Sequence, residues 1–210
     1  MFAVAVLLPG LIIGAIAWGV VGVLRQRGRE EFTQATAAAF YAQVVIVAGI
    51  LATLAGAGVL LKLGFSLIDP AYSYSAPPAG AYAYPSVDDQ RAQDLILAAM
   101  LVGIGVLVTA GHWFLARAIA PLPGGSPVWV VRGTLVATTV LTGLVGFASA
   151  VVAGYQVLTY FIVGGQQNGP FGETAGVALI FVPAWAVAMT LLMRRLRGGR
   201  PRREAAMTAA

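Results

Sequence analysis

The chain contains no cysteine. Disulfides, thiolate metal sites and the common iron–sulfur clusters are therefore excluded. It has a single histidine, His112, so no site within one chain can rest on two imidazoles. Charge is scarce as well. Asp, Glu, Lys and Arg make up 10% of the 210 residues, where a soluble domain carries roughly a quarter. A chain this poor in ionised groups has too little polar surface to stay in water.

What is abundant is apolar: 59% of the residues are hydrophobic, and the mean hydropathy is +0.85. The class is an integral membrane protein of α-helices. A helix crosses a bilayer core with about 20 apolar residues, and five runs meet that length: 2–24, 40–61, 95–115, 133–162 and 174–193. The expected architecture is an all-α bundle of five transmembrane helices in one domain, residues 1–197. The fourth run exceeds a minimal span and should tilt or protrude. The first has no basic leader, and Trp18 with six further uncharged residues follows its Ala15–Ile16–Ala17. It reads as a retained anchor rather than a cleaved signal.

The net charge of +5 is distributed unevenly. Arg25, Arg27, Arg29, Arg117, Arg132, Arg194, Arg195, Arg197, Arg200, Arg202 and Arg203 fall on one side of the five-span arrangement. Lys62 and Arg91 fall on the other, with Asp69, Asp88, Asp89, Asp94 and Glu173. The bias of basic residues toward the cytoplasm puts the N-terminus outside and the C-terminus inside a bacterial inner membrane. The tail, 194–210, carries six arginines (Arg194, Arg195, Arg197, Arg200, Arg202, Arg203) that suit anionic lipid, at about 1 kcal/mol each near the surface. Membrane lipid is the expected partner of that cluster, and nucleic acid is not.

Helices in lipid approach one another through small residues. Ala48, Ala52 and Gly56 recur at four-residue intervals in the second run, and Thr142, Gly146, Ala150 and Gly154 in the fourth. Each series is a packing stripe, either within the bundle or between copies. Pro183 removes a backbone hydrogen bond inside the fifth run and should bend it.

The outer loop, 69–93, pairs Tyr72 and Tyr74 with Tyr82 and Tyr84 among four prolines. These amphipathic rings suit a headgroup layer or a partner surface. Ser86 with Asp88 and Asp89 offers a cap and favourable charge for the helix that follows. The second outer turn, "GGQQNGPFGE", reads as a plain glycine-rich turn.

Residues 101–117, "LVGIGVLVTAGHWFLAR", align without gaps on 179–195, "LIFVPAWAVAMTLLMRR", with Gly105 opposite Pro183 and an arginine ending both. The matched topology suggests an anchor followed by two parallel helical-hairpin repeats, a plan found among transport folds; the alternative is that the hydropathy common to membrane helices generates the match. A span closing on His112, Trp113 and Arg117 resembles a bacterial membrane family of unknown function. In that family the second helix of each hairpin reads glycine, proline, tryptophan, then His–Trp–x–x–x–Arg. Pro183 and Trp185 fit the second copy, whereas Thr190 and Leu191 stand where its His–Trp would be. The resemblance covers residues 30–197 and implies a fold but no activity.

His112 sits near the cytoplasmic end of its span. Trp113 there belongs to the interfacial belt and Arg117 snorkels to phosphate. The histidine is therefore read as structural rather than as a proton relay or haem ligand, although it is the one candidate for holding a cofactor. No cofactor or metal is expected. With no carboxylate at mid-span and no nucleophile–base set, an enzyme is disfavoured. The expected function is a noncatalytic accessory or scaffolding subunit with a protein partner or a second copy of itself. A small transporter or channel is the alternative, and a redox subunit using His112 a third.

Overall fold

The computed structural model describes residues 33–74, 85–125, 128–164 and 170–197. These residues are helical with no strand, and four helices are long and apolar enough to cross a membrane: α1 (Gln34–Ile68), α2 (Val87–Ile119), α3 (Val128–Thr159) and α4 (Gly172–Arg197). A fifth spanning helix is not among them, because the run 2–24 lies outside the described residues, as do Tyr82, Tyr84, Arg200, Arg202 and Arg203.

Each helix begins and ends on local chemistry. Thr33 caps α1 by accepting the Thr36 amide at 3.2 Å. Ser86 caps α2 in a reciprocal arrangement: its hydroxyl accepts the Asp89 amide, and the Asp89 carboxylate accepts the Ser86 amide, both at 3.1 Å. This satisfies two of the amide donors that any helix start leaves orphaned. Because of that cap, α2 starts at Val87, and the last part of the 69–93 segment is helix rather than loop. At its other end the segment makes one 3₁₀ turn, Pro70–Tyr72, with Asp69 accepting the Ala71 amide at 2.9 Å.

The turn between α2 and α3 is anchored to the start of α1. Thr33 donates to the Pro123 carbonyl at 3.3 Å, and Thr36 to the Gly124 carbonyl at 3.1 Å. Gly124 has φ +75°, where a side chain is strained, and a Cβ there would meet both threonine hydroxyls within 2.7 Å. We call this the Thr33 end. The connections within the α1–α2 and α3–α4 hairpins meet at the opposite, hairpin end, where Tyr72 touches Tyr160 and Phe171. Arg117, Arg132, Arg194 and Arg195 thus lie toward the Thr33 end. Asp69, Asp88, Asp89, Asp94 and Glu173 lie toward the hairpin end with Lys62 and Arg91.

The centre of the bundle is α1. One of its faces packs on α2, the opposite face on α3 and α4. On the α2 face, glycines let the backbones nearly touch. A Cβ on Gly105 would stand 2.8 Å from both the Gly49 carbonyl oxygen and the Thr53 nitrogen, and one on Gly56 3.0 Å from the Ala98 carbonyl oxygen. Toward α4, a Cβ on Gly58 would meet Val177 at 3.3 Å. The compact core lies where α1, α3 and α4 meet: Val47, Leu51 and Phe181, the last 1% exposed, surrounded by Leu54, Leu141, Val145, Val177 and Ile180.

Two of these contacts sit on seven-residue series, Gly49 with Gly56 and Ala98 with Gly105. A four-residue series drifts around a helix by about 40° per step, whereas a seven-residue one drifts by only about 20°. This places the expected stripes differently from one end to the other. Gly56 is buried, Ala52 half-buried and Ala48 exposed; Thr142 and Gly146 are buried, Ala150 half-buried, and Gly154 faces open space.

In α3, the hydroxyls of Thr134, Thr138, Thr139 and Thr142 donate to carbonyls four residues back at 2.7 to 2.9 Å. Polar side chains can therefore lie inside an apolar bundle without water. Pro183 is exposed within α4, while Trp185 turns inward, edge-on to Phe147 at 4.9 Å and against Gly143.

The two hairpins are not equivalent. The second helix of the second hairpin, α4, packs on both α3 and α1, whereas α2 packs on α1 and leaves most of its circumference uncovered; Leu107, for example, is 74% exposed.

Candidate functional site

The only described cluster of opposite charges that links two helices lies at the hairpin end, between α1 and α2. Lys62 Nζ and Asp94 Oδ2 are 2.8 Å apart, their side chains 14% and 18% exposed. Lys62 is the first residue after the apolar run 40–61, and Asp94 the last before 95–115. Antiparallel helices joined in a hairpin bring these two boundary positions opposite one another. Their pairing was therefore readable from the sequence, although the residues were counted there only as outer-side charges.

Three more side chains close around the pair. The Tyr74 hydroxyl donates to Asp94 Oδ2 at 2.9 Å, and its ring lies 4.9 Å below the Lys62 ammonium. Arg91 donates through Nη2 to the Ser66 carbonyl at 2.5 Å and through Nε to the Ser66 hydroxyl at 3.2 Å. Ser73 donates to the Lys62 carbonyl at 2.7 Å, folding the segment after α1 back onto it. Burial first, then the bond to Asp94, holds the Tyr74 phenol above its ordinary pKa range. Asp94 Oδ2 thus accepts from both an ammonium and a phenol. The group clamps α1, the segment after it and α2 together.

Beside it, Phe65, Tyr72, Tyr160 and Phe171 form a ring cluster with neighbouring centroids 5.0 to 6.1 Å apart, joining the end of α1, the 3₁₀ turn and the residues just after α3 and just before α4. Gln156 and Thr174 tie α3 to α4 at 2.5 Å. Of the tyrosines expected to face a partner, Tyr74 is 5% exposed and Tyr72 half-buried, so both are engaged within the chain. The 3₁₀ turn at Pro70–Tyr72 and the Ser73 bond to the Lys62 carbonyl fold the start of this segment back onto α1.

His112 is half-buried in α2. Its Nδ1 lies 2.9 Å from the Val108 carbonyl and donates to it, and its ring meets Tyr41 edge-on at 5.5 Å. This bond sets the orientation of the ring against α2. The neighbouring Trp113 carries the Arg117 guanidinium over its ring at 3.8 Å. Among the described residues no three of His, Asp and Glu come together as metal ligands. Arg194 and Arg195 are exposed at the end of α4.

One open groove of about 430 Å³ runs along the bundle, lined by Ile50, Thr53 and Leu54 of α1 and Val106, Thr109, Ala110 and Trp113 of α2. Leu54 also packs on the core shared with α3 and α4, so the groove opens between α2 and that pair. Its walls are apolar, and the buried Thr109 hydroxyl has no hydrogen-bond partner.

Comparison with known protein families, curated proteins and solved structures finds no match for this chain.

Proposed function

We propose that the chain is a noncatalytic, five-span protein of a bacterial inner membrane, with its N-terminus outside and its C-terminus in the cytoplasm. It serves as an accessory or scaffolding subunit of a membrane assembly. The observation that carries this reading is the state of α2, a 33-residue apolar helix that, among the described residues, packs mainly on one neighbour along one face. Residues such as Leu107, Phe114 and Ile104 stand exposed on its other sides. The ionisable groups that bear on α2 point the same way. Lys62, Asp94 and Tyr74 satisfy one another, His112 bonds a carbonyl and Arg117 a tryptophan ring. What α2 offers to its surroundings is shape and apolar surface, and small-residue and aromatic faces of that kind are what membrane helices associate by.

The orientation is supported by the gathering of Arg117, Arg132, Arg194 and Arg195 at the Thr33 end, the end from which Arg25, Arg27 and Arg29 are only a few residues away in the chain. Purification in a mild detergent after cross-linking in the membrane tests the reading. Recovery of a dimer or of a stoichiometric partner is expected, and a strictly monomeric, unaccompanied protein would contradict it.

The groove between α2 and the α3–α4 pair favours a second reading, a small transporter or channel for apolar solutes. Flux across reconstituted vesicles checks it, and no flux over a broad solute panel would retire it.

A further inference from the structure

We infer that the groove on α1, between α2 and the α3–α4 pair, is the seat of this chain's own N-terminal apolar run, residues 2–24. The inference rests on the five-span part of the proposal above but not on the accessory role.

Three observations converge on this occupant. The first is place. α1 starts at Thr33, which is tied to the Pro123 carbonyl at 3.3 Å, so the preceding residues must leave from that end of the bundle. Residues 25–32 are eight in number, enough to reach across about 26 Å when extended. A neighbouring helix axis lies only about 8–10 Å away.

The second is length. Trp113 is one residue from His112, whose ring meets Tyr41, eight residues along α1 from Thr33. That is a height of about 12 Å, and Leu54, 21 residues along, stands at about 31 Å. A 23-residue helix running back from Leu24 covers about 35 Å. It would pass the whole groove antiparallel to α1.

The third is shape. The groove walls carry large side chains, Ile50, Leu54, Val106 and Trp113. The middle of the run carries Gly14, Ala15 and Ala17. Small residues against bulky walls is the complementarity by which helices pack closely in lipid. Seated there, the run would give α2 a second neighbour while leaving Ile104, Leu107 and Phe114, which do not line the groove, exposed. Arg25, Arg27 and Arg29 would then sit with Arg117 and Arg132 at one end.

The absence of cysteine makes a direct test clean. Ile12→Cys, Ile13→Cys, Gly14→Cys and Ala15→Cys sample the run at about 100° steps around a helix. Each is combined with Ala110→Cys in a chain bearing a protease site after Arg29, and oxidised in native membranes. Gly58→Cys with Val177→Cys, where a Cβ on Gly58 would meet Val177 at 3.3 Å, is the positive control for oxidation, read as a mobility shift of the chain on a non-reducing gel. Ala3→Cys, probed from outside with a membrane-impermeant maleimide, reports independently whether the run spans.

The expected result is that one or two positions retain the N-terminal fragment on a monomer after proteolysis. Cross-linked dimers alone would overturn the inference and give the groove to a second copy's run. No cross-link at any position, with the control intact and Ala3→Cys labelled, would overturn it and leave the fifth span standing, with lipid in the groove. No cross-link and no outside labelling would overturn the seat and the fifth span together.

Discussion

At the scale of single residues, the structure turns on a few saturated polar contacts. Lys62 and Asp94 are both mostly buried and 2.8 Å apart, so removing one leaves the other's charge without its partner. In a Tyr74→Phe background, which removes the phenol donor to Asp94, Asp94→Asn should lower stability by about 1–3 kcal/mol, while the double variant Lys62→Met/Asp94→Leu should recover most of the loss, because an apolar pair needs no compensation. Thermal unfolding in detergent compares them. If the double variant is no better than the single, the pair is not the clamp described here.

Tyr74 gives a pH test. Its folded pKa is raised, so its contribution to stability is full below the ordinary phenol value of 10.0 and is lost as pH climbs above it. Alkaline titration followed at 295 nm should therefore be the same for wild type and Tyr74→Phe through the pH range where ordinary phenols ionise. An extra phenol titrating there in the wild type would show that Tyr74 is not held as described. Gly124→Ala forces a side chain onto φ +75° and into two threonine hydroxyls, and should cost about 1–3 kcal/mol, read by the same melting experiment.

At the scale of elements, the helices themselves were legible in the apolar runs. Every described run became a helix, and each helix is longer than its run. α1 continues to Ile68 beyond the run 40–61, and α2 starts at Val87 ahead of 95–115, because caps and turns, not hydropathy, end a helix. The cap at Ser86 was visible as Ser–x–Asp–Asp. What was not legible was which face packs. Ala48 and Gly154 look like Ala52 and Gly146 in sequence, yet they are exposed, since only the crossing geometry decides which turn of a helix meets its neighbour. The charged clamp was half visible: Lys62 and Asp94 border their runs, but Tyr74 reaches them only because the 3₁₀ turn and Ser73 fold the chain back. The packing makes its own prediction. Gly105→Ala puts a methyl 2.8 Å from the backbone of α1, so α1 and α2 must move apart. The variant should melt well below Gly103→Ala, whose added methyl meets nothing within 4 Å. Equal melting of the two would show that this crossing is not close.

At the scale of the whole molecule, α1 is the shared wall of two unequal halves. Toward α3 and α4 it has a side-chain core, and toward α2 a glycine-lined backbone contact and an end clamp. The central claim is that these helices traverse a bilayer with the hairpin connections on one side and the arginine-bearing end on the other. Alkaline phosphatase inserted at Gly80 or fused behind Ala210 measures it most directly. The account predicts an active enzyme at Gly80, outside, and a silent one behind Ala210, in the cytoplasm. Activity behind Ala210 with silence at Gly80 would contradict it.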